Sequence, residues 1–300
     1  MSFIDAHRAR FGVEPICRVL EIAPSTYYAR RSRLPSRRAV EDARLLGRIR
    51  DVHAMNYHAY GSRRTWKTLR RQGVEVGRGR VERLMRRHGL QGAQRQAKRR
   101  WLTQADEAAP RPADLVERRF VAQAPNQLWV CDLTYLKTRE GFVFLAFVKD
   151  VFSRMIVGWQ TAEHLRTDLV LEALEMAVHL RRPPHGELVA HTDRGSQYTS
   201  FRYTQRLSDL GITASVGSVA DAYDNAMAES FVGTLKTELV QGRPFPTRFA
   251  CELALVEYLG WFNHTRLHAA LGDHPPAEFE ALYAAPTETI TQTIMSKETN

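Results

Sequence analysis

Apolar side chains recur every three or four positions through much of the first ninety residues, which is the spacing of amphipathic helices. They follow this spacing from Val40 to Ala54, and Ala59-Tyr60-Gly61 then breaks the pattern. Ser62 is expected to cap a second helix that ends near Gln72, and a third helix is expected from about Gly79 to His88. Two short helices with a brief connection indicate a helix-turn-helix. A shorter helix pair is expected upstream, between Pro15 and Tyr28.

Short apolar segments rich in β-branched and aromatic residues replace the helical pattern after residue 125. The segments Gln127 to Tyr135, Phe142 to Val148 and Met155 to Gln160 predict three antiparallel strands. A strand-helix-strand unit and further helices follow. Their expected bounds are a helix from Thr167, which can cap it, to Leu180, a strand Glu187 to His191, a helix Phe201 to Leu210, a strand Ile212 to Ser215, and helices Asn225 to Val240 and Arg248 to His264. The pattern predicts an α/β fold with a mixed sheet covered by helices.

Composition places the chain among folded proteins with room for two domains, since 44% of its 300 residues are apolar and 25% are charged. The longest apolar run, Phe142 to Val148, is far shorter than the roughly 20 residues of a membrane-spanning helix. With no signal-peptide pattern at the N-terminus, the chain is expected in the cytosol. Its three widely spaced cysteines encode no disulfide framework and no thiolate zinc site, so oxygen ligands are the plausible metal chemistry.

The positive charge is concentrated in the N-terminal third of the chain. Residues 1–110 hold 25 Lys and Arg against 10 Asp and Glu, whereas the rest of the chain is net negative. Of those 25 residues, 23 are Arg, which binds phosphate bidentately, so nucleic acid is the expected partner. The last predicted helix carries Arg78, Arg80, Arg83, Arg86 and Arg87, while Val81, Leu84 and Met85 can face inward. The alternative is an arginine-rich surface that contacts only solvent.

Three carboxylates stand out in the second half. Asp132 interrupts the apolar strand Trp129 to Tyr135, where an unpaired carboxylate is costly to bury. Asp193 follows the predicted strand Glu187 to His191, at a position where open sheets place ligand groups. Glu229 lies on the predicted helix Asn225 to Val240. The intervals are 60 and 35 residues. These side chains could converge on hard divalent cations. Alternatively they are unrelated acids, one in a salt bridge and two in caps or turns.

With these intervals and their flanking residues, the sequence resembles the bacterial insertion-sequence transposases that have a retroviral-integrase-like DDE catalytic core. The 35-residue interval is a hallmark of that family, and the resemblance covers nearly the whole chain. The matching blocks are Trp129 to Tyr135, His191 to Tyr198, Tyr223 to Phe231 with Lys236-Thr237-Glu238, Tyr60 to Arg64, and Trp261 to Gly272 with Pro275 to Phe279. They resemble the downstream reading frame of two-frame elements, whose active transposase is usually a frameshifted fusion.

The resemblance implies a ribonuclease H-like fold and a polynucleotidyl transferase. Asp132, Asp193 and Glu229 would be both the catalytic residues and the ligands of two Mg²⁺ ions, for which Mn²⁺ may substitute. The expected reaction is DNA cleavage and strand transfer at the terminal inverted repeats of an insertion sequence, which leads to DNA integration and recombination. A homo-oligomer on DNA is expected, with possible association with the upstream reading-frame product. DNA contacts are expected from Lys236, Arg63, Arg64, Arg78, Arg80, Arg83, Arg86, Arg87, Lys98, Arg99 and Arg100.

Two other functions share the basic features. One is a catalytically inactive DNA-binding regulator of transposition, which would tolerate loss of Asp132. The other is a nuclease that hydrolyses DNA without joining it. The intact carboxylate set favours the transferase over both.

Remaining details concern histidines, one loop and the domain bounds. His191 is expected to be structural, and the pair His264 and His268 has helical spacing for a metal site but no third ligand, so packing or phosphate contact is expected. Ala220 stands where the family commonly has glycine, and it would strain the loop by roughly 1 kcal/mol if that position needs positive φ. The predicted divisions are a helical segment 1–35, a helix-turn-helix 36–95, a basic linker 96–124, a catalytic core 125–284 and a mobile tail 285–300.

Overall fold

The N-terminal part of the chain is helical in the computed structural model, which describes residues 1–32, 34–94, 114–116, 120–193, 195, 197–217 and 226–284. Three short helices come first, α1 (Ser2–Phe11), α2 (Val13–Val19) and α3 (Pro24–Ser32). They share a small core that contains Ile16 and Tyr27. The sequence pattern predicted a helix pair here and missed α1, whose apolar positions form no clear stripe along the helix.

The predicted helix-turn-helix follows as a three-helix unit of α4 (Arg37–Met55), α5 (Ser62–Arg71) and α6 (Arg78–Arg87). Val81, Leu84 and Met85 are buried, as the pattern of α6 predicted. Ser36 caps α4, because its hydroxyl accepts a hydrogen bond of 3.2 Å from the Ala39 amide. The expected cap by Ser62 was wrong, because Ser62 is the first helical residue and Gly61 precedes it without a side-chain cap.

A five-stranded sheet forms the centre of the second half. Its strands are β1 (Leu128–Thr138), β2 (Gly141–Asp150), β3 (Ile156–Ala162), β4 (Val189–Thr192) and β5 (Thr213–Val216). The spatial order is β3-β2-β1-β4-β5. The first three strands are antiparallel, and β4 runs parallel to both β1 and β5. This confirms the predicted ribonuclease H-like sheet of three antiparallel strands followed by strand-helix-strand.

Helices cover both faces of the sheet. On one face α7 (Thr167–Arg181) and α8 (Phe201–Asp209) pack over a core that includes Trp129 and Cys131. On the other face α9 (Ala226–Leu235) and α10 (Arg248–His264) pack over a core that includes Val130 and Phe147. Thr167 was expected to cap α7 but is its first residue, after Arg166. Because β1 alternates between these two cores, its first four residues, Leu128 to Cys131, are all apolar and buried.

The C-terminal helices depart from the predicted pattern in two places. The helix expected to end at Val240 ends as α9 at Leu235 and continues as a π-helix, Lys236–Val240. After a short 3₁₀ turn, Ala269–Leu271, a further helix α11 (Pro276–Ala284) follows that the sequence pattern did not predict. None of the described helices is both long and apolar enough to cross a bilayer.

Part of the predicted linker lies against the catalytic sheet. Val116 is buried in the core beneath α9 and α10, and the Leu115 amide donates a hydrogen bond of 3.0 Å to the Ser215 hydroxyl in β5. The ring of Phe120 packs edge-on against His191 in β4. The predicted tail 285–300 and the loop position Ala220 lie outside the described residues.

Candidate active site

Asp132 lies in the middle of β1, opposite Phe147 of β2 and on the sheet face that α9 covers. Its side chain is half-buried, and its Oδ1 accepts a hydrogen bond of 2.7 Å from the Leu133 amide. The strand forms because Trp129, Val130 and Cys131 are buried in the two cores, and this burial fixes the position of the carboxylate that follows them. Asp132 is therefore held in a fixed position, directly after the residues of β1 that both cores bury.

Asp193 follows β4 directly, next to Asp132 in the sheet. The parallel register pairs Cys131 with Thr192, so continuing both strands by one residue places the two aspartates on adjacent strands. Asp193 Oδ1 accepts a hydrogen bond of 2.9 Å from the Gly195 amide, which orients the carboxylate. As predicted, the side chain lies at the carboxyl end of a strand of the open sheet.

Glu229 lies in the first turn of α9. Ala228 and Phe231 are buried against the sheet and orient the helix, whereas the Glu229 side chain is exposed. Phe231 packs edge-on against Phe147, the residue opposite Asp132. Packing of α9 on β2 therefore carries Glu229 to the same end of the sheet as the two aspartates.

The three carboxylates influence one another electrostatically. The pKa of Asp132 is raised to about 8, first by burial, then by the negative charge of Asp193, and to a smaller extent by that of Glu229. The enclosing protein also raises the pKa of Asp193, against the opposing effects of the Gly195 amide and His191. A carboxyl group with such a pKa lies in surroundings that disfavour its negative charge, and a bound cation would relieve this.

Lys236, the first residue of the π-helix, also belongs to this site. Its ammonium nitrogen lies 4.8 Å from the centre of the Tyr135 ring, on the same strand as Asp132. The charge of Lys236 lowers the pKa of Asp132, against the effect of the acids. The structure therefore brings together four of the residues that sequence analysis singled out, Asp132, Asp193, Glu229 and Lys236.

The donor set suits a hard divalent cation, because it consists of carboxylate oxygens that repel one another. Among the residues that the structure describes, no three His, Cys, Asp or Glu side chains stand close enough together to hold one ion. The fit to a metal therefore rests on the chemistry of the three carboxylates and on the raised pKa of Asp132.

The histidines have structural surroundings. His191 is buried in β4, where its Nδ1 lies 2.9 Å from the Ser215 hydroxyl. His268 lies outside α10, so it does not share a helix with His264, and its ring packs edge-on against Phe262. Burial, together with the charges of Arg266 and Lys149, lowers the pKa of His268 to about 2. His268 is therefore a neutral packing residue.

Several arginines predicted to contact DNA form ion pairs with protein carboxylates. Arg80 and Arg83 both donate to Asp42 of α4, at 2.6 and 2.8 Å. Arg63 donates to Asp273 at 3.0 Å, and Arg64 donates to Glu238 at 3.4 Å. These four side chains therefore tie the three-helix unit together or to the catalytic core.

The remaining predicted DNA contacts differ in how they are placed. Arg86 pairs with Glu82 of its own helix at 2.9 Å, and its side chain stays largely exposed. Arg78 and Arg87 are exposed at the two ends of α6. Lys98, Arg99 and Arg100 lie outside the described residues. Of the predicted DNA contacts on α6, Arg78, Arg86 and Arg87 are the exposed side chains that do not bond to Asp42.

Two polar groups close to the site were missed by sequence analysis. Glu238 is buried in an ion pair with Arg266, although both residues stand in the sequence blocks that carry the family resemblance. Lys149 is buried in β2 beneath α9. A charged residue inside the apolar run Phe142 to Asp150 was the available signal for Lys149.

The sequence matches known families over most of its length. Residues 122–222 and 210–276 match two families described as Integrase core domain, and residues 40–98 match the family described as HTH-like domain. Among solved structures, the HTLV-2 integrase catalytic core domain in complex with magnesium (dimeric form) aligns with 18% identity and a TM-score of 0.43, over 53% of this chain and 98% of that chain.

Its relatives at higher identity are transposases. The transposase assigned to insertion sequence element IS986/IS6110 of Mycobacterium tuberculosis (strain CDC 1551 / Oshkosh) is 49% identical over 271 residues, which is 89% of this chain and 97% of that protein. The transposase for insertion sequence element IS629 of Shigella sonnei is 44% identical over 290 residues, 95% of this chain and 97% of that protein. Together with the sheet order and the placement of the carboxylates, these matches show that the chain belongs to the family of insertion-sequence transposases with an integrase core domain.

Proposed function

We propose that this chain is a polynucleotidyl transferase that cleaves DNA at the terminal inverted repeats of an insertion sequence and joins the ends to new DNA. The observation that carries the proposal is that Asp193 and Glu229 lie near enough to Asp132 for their charges to add to the effect of burial, which together raise the pKa of Asp132 to about 8. The 49% identity to a transposase over nearly its whole length supports the same reaction class.

The catalytic roles follow from position. Asp132 lies on β1, beside the strand that leads to Asp193 and on the sheet face covered by the helix that carries Glu229; it would bind two Mg²⁺ ions, with Asp193 and Glu229 each binding one. Such ions, when bound, generate the nucleophile and stabilise the leaving oxygen in an in-line displacement. The protein itself supplies a rigid strand under Asp132, an amide that orients Asp193, and Lys236 beside the carboxylates to contact the DNA near its ends.

DNA binding is assigned to the helix-turn-helix region, residues 36–95, and catalysis to residues 125–284. In the first region Arg78, Arg86 and Arg87 are the described α6 side chains best placed to reach phosphates, and Lys98, Arg99 and Arg100 are further proposed DNA contacts outside the described residues. Two ends have to be held together for joining, so the working form would be a dimer or a larger assembly on DNA in the bacterial cytosol. Fusion to an upstream reading-frame product would complete it.

The test is a strand-transfer assay on DNA that carries the element's own ends, with Mg²⁺ or Mn²⁺. Wild-type protein is expected to join ends, and Glu229→Gln is expected to abolish joining while it leaves DNA affinity intact. Glu187→Gln removes an exposed carboxylate that precedes β4, at the opposite end of this strand from Asp193, and this control should join normally. If the protein binds the DNA but joins no ends, and Glu229→Gln changes nothing, the protein is a regulator. If it nicks the DNA but joins no strands, it is a nuclease.

A further inference from the structure

Glu238 is a buried carboxylate that the proposed chemistry leaves unused. It lies in the π-helix that continues α9, and its side chain is 6% exposed. Its two oxygens accept hydrogen bonds from Arg266 at 2.7 and 2.8 Å, and Oε2 also accepts one of 3.0 Å from the Tyr258 hydroxyl. One carboxylate thus binds α10 and the segment after it to the end of the helix that carries Glu229.

A further donor to Glu238 comes from the helix-turn-helix region. The Arg64 Nη1 of α5 lies 3.4 Å from Glu238 Oε1, and the Arg64 guanidinium also stacks over the Tyr60 ring at 5.6 Å. Burial, followed by the charge of Arg266, lowers the pKa of Arg64. Arg64 is therefore directed into the protein, and its partner is the catalytic core.

Uncharged contacts surround this ion pair and join the same two regions. The Leu267 amide donates a hydrogen bond of 2.7 Å to the Tyr60 hydroxyl, and the Trp261 indole donates one of 3.1 Å to the Asn56 side chain. Leu267 itself packs in the core of the three-helix unit. The interface is thus a continuous seam in which Glu238 is the only described carboxylate that accepts from both Arg64 and Arg266.

The π-helix connects this seam to the active site. Lys236 at its start contacts Tyr135 and lowers the pKa of Asp132, whereas Glu238, two residues later, is bonded to Arg64 and Arg266. If the three-helix unit moves, its bond to Glu238 therefore moves the turn of π-helix that also contains Lys236. Glu229 lies on the preceding helix, packed on the sheet through Phe231.

We propose that Glu238 is a positioning residue, which with Arg64 and Arg266 fixes the helix bearing Glu229 and Lys236 relative to the DNA-binding region. DNA held by the helix-turn-helix then meets the carboxylates in one defined geometry. The proposal rests on the proposed function for its catalytic consequence, and on the contacts of Glu238 for its structural part. It also assigns Arg64 to the interface between the two regions in place of DNA.

The test compares Arg64→Met with Arg70→Met. Arg64→Met removes the link from α5 but leaves Glu238 paired with Arg266 and Tyr258, so the core should still fold. Arg70 lies on the same helix, is exposed, and forms no ion pair within the described residues, which makes its variant a control of equal charge. At saturating DNA the strand-transfer rate of Arg64→Met should fall about tenfold or more, with DNA affinity unchanged, whereas Arg70→Met should keep the rate.

A second measurement reads the seam directly. Hydrogen exchange at the Leu267 amide, whose acceptor is the Tyr60 hydroxyl, should accelerate about tenfold in Arg64→Met and stay unchanged in Arg70→Met. Arg64→Lys keeps a cation that can reach Glu238, and it should restore both protection and rate. Recovery of protection and rate in Arg64→Lys would show that the effect of Arg64→Met comes from the lost ion pair with Glu238 and not from a change in side-chain volume.

Three results would overturn the proposal. One is a weaker DNA affinity of Arg64→Met with an unchanged rate, since that is the behaviour of a DNA contact. Another is equal exchange at Leu267 in the two methionine variants, and the third is an unchanged rate in Arg64→Met. If wild-type protein joins no ends, the proposed function fails, and the exchange comparison still decides whether Arg64 and Glu238 hold the two regions together.

Discussion

The ammonium group of Lys149 in β2 donates a hydrogen bond of 3.4 Å to the main-chain oxygen of Met227, two residues before Glu229 in α9. Lys149 is 5% exposed and forms no ion pair with a carboxylate within the described part of the chain. Burial, followed by the positive charges of Arg154 and Arg266, lowers its pKa to about 7. A buried lysine therefore supports the start of the helix that bears Glu229, at a cost in stability.

Replacing Lys149 with methionine should stabilise the protein near neutral pH. Between about pH 7 and the ordinary lysine value near 10.5, the unfolded chain binds a proton that the native protein releases. The free energy of unfolding of wild type should therefore rise with pH relative to that of Lys149→Met, by up to ~1.4 kcal/mol per pH unit. Above that range the two free energies should change in parallel. Urea unfolding across this pH range measures it. Lys137→Met, at an exposed site of β1, is the control for loss of a lysine, and parallel curves for Lys149→Met and wild type would contradict the prediction.

Replacing Glu238 with glutamine should lower the free energy of unfolding. Arg266 is 7% exposed and would lose its charged partner, and breaking a buried pair from one side costs about 3–5 kcal/mol. Chemical denaturation of the full chain measures the loss. The matched change Glu257→Gln, at an exposed position of α10, should alter stability by less than about 0.5 kcal/mol. Equal stabilities for the two variants would show that Glu238 and Arg266 are not paired in solution.

Replacing Gly158 in β3 even with alanine should destabilise the protein. A Cβ atom at this position would lie 2.2 Å from the Ala173 oxygen and 2.7 Å from the Ala177 Cβ, so β3 and α7 would have to separate. Gly158→Ala should destabilise by about 1–3 kcal/mol, measured by thermal unfolding. Gly47→Ala is the control, because a Cβ there meets nothing within 4 Å inside α4, and it should stabilise by up to about 1 kcal/mol. A neutral Gly158→Ala would mean that the strand and helix are not in close contact.

Asp132→Asn should raise the stability of the metal-free protein while it removes the response to metal. The raised pKa of Asp132 means that its surroundings oppose a negative charge, and asparagine has none. A gain of about 1–3 kcal/mol at neutral pH is expected. Mg²⁺ or Mn²⁺ should raise the melting temperature of wild type and of Glu187→Gln but not of Asp132→Asn. A metal response retained by Asp132→Asn would remove Asp132 from the proposed ligand set.

Arg87 and Arg80 should behave differently although both lie on α6. Arg87→Ala is expected to weaken DNA binding and to reduce the slope of log affinity against log salt by about 1, because it removes one phosphate contact. Arg80→Ala should mainly lower thermal stability, because Arg80 donates to Asp42 across the three-helix unit. Fluorescence anisotropy over a salt series, with thermal unfolding alongside, separates the two effects. An unchanged salt slope in Arg87→Ala would place the DNA elsewhere on the chain.

Periodic burial explains why the elements of the fold could be predicted from sequence. The strands of the sheet alternate or are fully apolar, and α10 was predicted with the bounds that the structure has, Arg248 to His264. Asp132 and Asp193 were recognisable because a carboxylate in or directly after an apolar strand needs a compensating partner. Glu229 was singled out with them from its predicted helix and its interval of 35 residues to Asp193, and the family resemblance supplied the meaning of that interval.

Long-range pairing explains what sequence reasoning missed. Arg64, Glu238 and Arg266 are separated by 174 and 28 positions, and a pattern along one helix cannot show which acid an arginine meets. In the sequence, Arg64 therefore looks like any other basic residue of an amphipathic helix. It points inward because α5 packs against the core. The π-helix is equally invisible, because its five residues continue the apolar spacing of α9.

The seam between the two regions also sets an order for synthesis of the protein. The three-helix unit has most of its core from residues 45–85 and can fold early on the ribosome, whereas Arg266 and Leu267 are translated about 180 residues later. Until those two residues emerge, Glu238 lacks its main partner and the nascent helices have no fixed orientation toward the carboxylates. If the proposed function holds, a growing chain would be able to bind DNA before it is competent to cut it.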